Sequence, residues 1–203
     1  MRASRLIRET ITLRDGRQVV LRAIRPEDAP GLIEFHQRLS PESRYFRFFG
    51  PKPELSPEEA RYLAEVDFSS RFAIVAVQGD EILGVGRFDL VGPGTAEAAV
   101  VVRDDHQGHG IGRALLERLL EVARGRGIER LAGEILADND RMLDLLRGSE
   151  SLDVTAASDG VVQVTVPISD GSPVFRTLSV VAKLSNEIAS RAASLKRRGS
   201  PDR

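Results

Sequence analysis

The sequence predicts a mixed α/β fold, a central and mostly antiparallel sheet with helices on both faces. Three stretches carry that expectation. Residues 72–102 follow the period of strands, with turn residues at Gln78-Gly79-Asp80 and Val91-Gly92-Pro93-Gly94, which gives a three-stranded antiparallel meander. From Gly112 to about Arg124 the period becomes helical. Leu115, Leu116, Leu119, Leu120, Val122 and Ala123 form a wide apolar face, and Gly125-Arg126-Gly127 stops the helix. Ile128 to Leu136 then returns to a strand. Because a helix separates it from its predecessor, it can lie parallel to that strand through a right-handed crossover.

The remaining elements follow in chain order. Asp15-Gly16 sits between two apolar runs of Ile11 to Ile24 and predicts a hairpin, since both turn residues tolerate positive φ. Arg25-Pro26-Glu27-Asp28 opens a helix with proline and acids in its first turn, and Leu32, Phe35 and Leu39 give it an apolar stripe ending near Ser40-Pro41. The run Arg44-Tyr45-Phe46-Arg47-Phe48-Phe49 is read as packing under a long connection, with the wall of an acceptor pocket as its other use. Ser56-Pro57-Glu58-Glu59 is a capping box that starts a short helix. Ala137-Asp138-Asn139-Asp140 leads into another, carrying Met142, Leu145 and Leu146 and closed by Gly148. Leu152 to Ala156 and Gly160 to Ile168 form a final hairpin, and Leu178, Val181, Ile188, Ala192 and Leu195 mark a last helix that packs on the body or on a partner. We therefore expect one domain over residues 11–170, followed by a helix and a basic tail over 171–203, with a homodimer left open.

Composition removes whole classes of function. At net charge -1 and pI near 6.3 there is no basic field over the chain, which argues against nucleic acid as the main partner. The absence of cysteine excludes a thiol nucleophile, a disulfide framework and a cysteine metal site. No segment reads as a signal peptide or membrane span, so no membrane partner and a cytoplasmic location are expected.

An apolar strand ending at Val102, a polar loop with Gly108, Gly110 and Gly112, and then a leucine-rich helix make an anion site. Glycine lets the backbone approach a phosphate, and the first free N–H groups of the helix point at it. A dinucleotide fingerprint would want its third glycine where Arg113 stands, and a P-loop would want glycine and lysine at Arg113 and Ala114. What remains is Gln107-x-x-Gly110-x-Gly112 at a strand-to-helix junction. This resembles the GNAT family of acyl-CoA N-acyltransferases, whose CoA-binding pattern is Arg or Gln, two residues, Gly, one residue, Gly or Ala. The likeness extends from about Gln18 to Ile168. More narrowly, Leu13-Arg-Asp-Gly-Arg17, the segment Leu39 to Phe49 and Ala96-Glu97 look like the acetyltransferase domain of bacterial protein lysine acetyltransferases.

The resemblance implies acetyl-CoA as the acetyl donor, an N-acetyltransferase activity and an amine acceptor, either a protein lysine or a small molecule. Main-chain groups of Gln107, Gly108, His109, Gly110, Ile111, Gly112 and Arg113 are expected at the pyrophosphate. By resemblance, those of Val100, Val101 and Val102 pair with the pantetheine arm, and Asn139 lines the far side of the CoA. Glu97 is the implied general base, partly buried by neighbouring alanines and valines so that its pKa rises; an ordinary solvent-facing strand glutamate is the other reading. His106 and His109 are read as loop residues facing CoA or solvent rather than as metal ligands, and His36 as a surface or edge residue. Many GNAT enzymes place a tyrosine acid after the asparagine, but Leu146 to Leu152 has none, and the only tyrosines are Tyr45 and Tyr62. That departure motivates a reading from another class, a domain that senses acetyl-CoA without turnover.

Overall fold

The computed structural model describes residues 7–146, 153–156 and 160–168. The expected last helix, the tail and the Gly148 stop lie outside the described residues. Eight strands form one sheet: β1 (Arg8–Thr12), β2 (Gln18–Ala23), β3 (Arg71–Gln78), β4 (Glu81–Gly92), β5 (Thr95–Val102), β6 (Arg130–Leu136), β7 (Asp153–Ala156) and β8 (Val161–Pro167). Their order is β1-β2-β3-β4-β5-β6-β8-β7. Every pairing is antiparallel except β5 with β6, which is parallel. The mixed α/β expectation therefore holds in both its antiparallel body and its single crossover.

Among the described residues five α-helices accompany the sheet: α1 (Ala29–Gln37), α2 (Pro41–Phe48), α3 (Pro57–Ala64), α4 (Ile111–Arg124) and α5 (Asp140–Leu146). The Ser56–Glu59 capping box forms as expected, each side chain bonding the other's backbone N–H. Helix α2 was not anticipated. Its start has the same logic as that of α3, with Ser40 accepting from the Ser43 N–H and Pro41 in the first turn; its charged and aromatic composition gives no apolar stripe of the usual kind.

Helix α4 lies on one face of the sheet, and two glycines of β4 allow its close approach. A Cβ on Gly84 would stand 3.0 Å from Leu115 Cδ1 and 3.1 Å from Ile111 Cγ2, and one on Gly86 would stand 3.2 Å from Leu119 Cδ1. Leu115, Leu119, Leu120 and Phe88 are fully buried there. On the opposite face, Leu32, Phe35 and Leu39 of α1 and its exit, with Leu63 of α3, surround Val85 and Val101. Among the described residues no helix is long and apolar enough to cross a membrane.

Candidate functional site

Strands β5 and β6 pair over only three positions, Thr95–Arg130, Ala96–Leu131 and Glu97–Ala132. Beyond them β6 pairs with β8 while β5 continues along β4, and a cleft of about 1110 Å³ opens between. The loop before α4, the end of β5, helix α2 and the start of α5 line it.

At one end the loop presents its backbone. Gly110 is the α4 N-cap at φ 104, a left-handed conformation that L side chains rarely adopt, and a Cβ there would meet nothing within 4 Å. With no capping side chain, the N–H groups of Ile111 and Gly112 have no intrahelical acceptor and sit at the positive end of the helix dipole. Gly108, at φ 80, is equally open, whereas Gly112 is hemmed by Val102 Cγ2 at 3.6 Å and Leu145 Cδ2 at 3.7 Å. Gly108, Gly110, Gly112 and Arg113 all border the cleft; Ile111 turns inward and is buried. The His109 carbonyl accepts from the Arg14 N–H at 3.2 Å and its ring lies 3.0 Å from Asp15, tying the loop to the first hairpin.

Gln107 contributes a brace. Its side-chain amide donates to the Val102 carbonyl at 2.9 Å and to Ser43 Oγ at 3.3 Å, and its oxygen accepts from Arg141. Asp104 anchors the same region: it accepts from the Ser40 N–H at 2.8 Å, Ser40 Oγ at 2.8 Å and Ser43 Oγ at 2.7 Å. Burial pushes the Asp104 carboxyl up, but these hydrogen bonds outweigh it and hold it below its ordinary value. One carboxylate thus fixes α2 to the turn that precedes the glycine loop.

The main chain of β5 alternates between its two neighbours. The Arg103 N–H donates to Leu83 in β4, and the Val102 carbonyl accepts from Gln107 on the other side. By alternation Val101 turns its main-chain groups to β4, while Val100 and Val102 turn theirs to the cleft. Of the three expected pairing residues, Val101 therefore offers its side chain only. Asn139 borders the cleft as expected, with its side-chain oxygen accepting from the Met142 N–H at 3.1 Å to cap α5.

The other end of the cleft is made of side chains. Glu97 lies in its wall and is exposed, where the sequence suggested partial burial. It stands directly across β4–β5 from Asp89, a like-charge pair balanced by cations: Arg87 reaches Asp89 at 3.3 Å and Arg71 reaches it at 3.8 Å. Phe46, Arg47, Phe48 and Phe49 of α2 and its exit line the facing wall. The aromatic run is thus not filler under a long connection, and Phe49 holds a left-handed conformation at φ 56 as the α2 C-cap. Desolvation and the nearby Arg87 push the Arg47 guanidinium down to about 10, with Asp89 and Glu97 acting in the opposite sense.

Two further expectations need correction. His36 is 2% exposed and packs against Phe48 at 5.5 Å between ring centroids, because α1 turns it toward the sheet; burial, with Arg44 and Lys52 nearby, pushes its imidazole below the ordinary value. His106 is also buried and bonds Asp105 at 2.8 Å, while Arg103 holds the Asp105 carboxyl well below its usual range. Among the described residues no group of three metal-ligating side chains exists. Sequence reasoning missed Arg14 and Arg141, which border the cleft from distant elements with no local signal.

The Acetyltransferase (GNAT) family matches residues 33–148. Acetyltransferase PA5475 of Pseudomonas aeruginosa is 35% identical over 139 residues, 66% of this chain and 75% of that protein. Acetyltransferase Pat of Mycolicibacterium smegmatis is 31% identical over 142 residues, 67% of this chain but 42% of that protein. Among solved structures, the GNAT domain of S. lividans PAT superposes with a TM-score of 0.74 at 35% identity, covering 79% of this chain and 96% of that domain. The yncA acetyltransferase of Salmonella typhimurium, solved with acetyl-CoA, shares the fold at a TM-score of 0.62 and 18% identity, over 76% of this chain and 96% of its own.

Proposed function

Because the chain belongs to the acetyltransferase (GNAT) family, we propose that it moves acetyl from acetyl-CoA directly to a primary amine, with a protein lysine as the acceptor. The observation that carries the donor assignment is the uncapped start of α4. Gly110 opens it to the cleft, and first-turn N–H groups stand where a pyrophosphate needs donors. Acetyl-CoA supplies the activated carbonyl carbon. Along its arm, the main chain of Val100 and the N–H of Val102 face the cleft on the edge of β5, so the ligand pairs like an added strand, while the Val102 carbonyl is held by Gln107. In this reading the arm runs toward the seam where β6 departs, so its reacting end lies near Glu97, whose position at that seam supports it.

Glu97 accepts the proton that the amine must lose as nitrogen bonds to carbon and the carbon–sulfur bond breaks. Its exposure suits a base that works through contact with an incoming acceptor, or through one water, rather than from a sealed pocket. Tyr45 and Tyr62 lie outside the cleft wall, and Tyr62 is 62% exposed beneath Arg71. The departing thiolate therefore takes its proton from water. With no cysteine in the chain, no acyl-cysteine forms on the way. The lysine acceptor rests on the likeness to bacterial protein lysine acetyltransferases.

The decisive experiment measures thiol release from acetyl-CoA with lysine peptides and with small amines. Turnover with peptides supports the full reading, and turnover with small amines alone moves the acceptor. Tight acetyl-CoA binding with no turnover under any acceptor would replace the enzyme by a sensor.

A further inference from the structure

Glu97 and Arg47 border one cleft, and among the described residues neither is held in an ion pair. Among the described residues no carboxylate lies within ion-pair distance of Arg47, and no cation within that distance of Glu97, whereas Arg71 and Arg87 are both engaged with Asp89. The Arg47 guanidinium lies over the face of Phe48, 5.1 Å from the ring centroid. Around the Asp89–Glu97 strand pair stand three guanidinium groups, those of Arg47, Arg71 and Arg87; Arg71 and Arg87 are taken up by Asp89 behind the wall, and of this cluster only Arg47 and Glu97 border the cleft. Glu97 must stay unpaired to take a proton, so it cannot neutralise Arg47 without losing its own role. A half-buried guanidinium with carboxylates nearby but none in direct contact is incompletely compensated, and an anion that bonds it relieves the cost.

Building on the acetyl-transfer reading, we propose that Arg47 is a specificity-determining residue that receives a carboxylate of the acceptor, so that the enzyme favours amines carrying a carboxylate a few atoms away. An acidic side chain beside a lysine and the α-carboxylate of a free amino acid offer the same chemistry. Arg47 borders both the cleft and the small apolar pocket beneath Phe48.

The test compares matched acceptors, an Nα-blocked Lys-Asp amide against the Lys-Asn amide, and lysine against lysinamide. The wild-type protein is expected to prefer the carboxylate member of at least one pair by about tenfold to a hundredfold in kcat/KM, the range of a charge-assisted hydrogen bond. The pair that shows it identifies the source. Arg47→Gln should bring that ratio close to one and Arg47→Lys should restore part of it, with thermal melting confirming that each variant folds. An unchanged ratio in Arg47→Gln overturns the proposal, as does an equal loss for both members of a pair, which would place Arg47 at the donor or the reacting carbonyl. Calorimetry of the same probes on the complex with desulfo-CoA needs no turnover. There, a carboxylate preference lost in Arg47→Gln upholds the assignment even if acetyl transfer fails, and absence of any preference refutes it even if transfer succeeds.

Discussion

The two ends of the cleft are built from different materials. At the end proposed for the donor, main chain faces the cleft: a left-handed Gly110, the first turn of α4 and the edge of β5, braced by Gln107 and Asp104. At the end proposed for the acceptor, side chains from distant segments do so, Arg47 on α2 and Glu97 on β5, with Arg87 and Asp89 of β4 behind them. A backbone site suits a ligand that does not change, because its hydrogen-bonding groups are the same whatever the side chains. A side-chain site can be retuned one residue at a time. The division matches a constant donor and a variable acceptor.

Substitutions at the two ends should therefore separate binding from turnover. The largest effect is expected from Glu97→Gln, which should lower kcat by about a hundredfold to ten-thousandfold, the usual contribution of a general base, while acetyl-CoA affinity is kept; an unchanged kcat would remove Glu97 from its role. At the donor end, Gly110→Val places a branched side chain at φ 104 and in the open space of the cleft. It should weaken acetyl-CoA binding by about a hundredfold or more, equivalent to about 2.7 kcal/mol, and calorimetry on a variant with a native melting profile would check it.

Smaller effects should come from the supports. Gly84→Ala forces a methyl group against Leu115 and Ile111 and should cost about 1–3 kcal/mol of stability by overpacking, read from denaturant unfolding. Asp104→Asn removes a charged acceptor from Ser40 and Ser43 and should cost about 1–2 kcal/mol at neutral pH. Its pH dependence has a definite sign. The folded Asp104 carboxyl sits below its ordinary 3.8, so its stabilisation is full above that value and is lost as pH falls through the lower folded one. The acid limb of stability below about pH 4 should be shallower in Asp104→Asn than in the wild type.

The same contrast explains what the sequence disclosed. The glycine spacing, the meander and the crossover were legible because each depends on local pattern: period two, period 3.6, and residues that tolerate positive φ. The loop from Gln107 to Arg113 could thus be placed before any contact was known. Helix α2 escaped because its apolar residues do not face a core stripe; they line a cleft, and only the Ser40-Pro41 start signalled it. His36 was misplaced for a related reason: one polar residue on a helix says nothing about the neighbours that will bury it. The pairing of Arg71 and Arg87 with Asp89, and hence the isolation of Arg47, depends on strand register and lies beyond any local reading.

The three-residue seam between β5 and β6 has a mechanical meaning. The sheet behaves as two plates, β1 to β5 and β6 to β8, joined edge to edge over about one strand's half-length and bridged by the crossover through α4. In the proposed reading, a pantetheine arm lying along Val100 and Val102 would act as mortar in that crack, supplying hydrogen bonds the missing pairing leaves unmade. Donor binding and sheet integrity then become a single equilibrium: at a hundredfold excess over its Kd the donor should add about 2.7 kcal/mol to the stability of the whole domain, so that the loaded protein is also the tougher one.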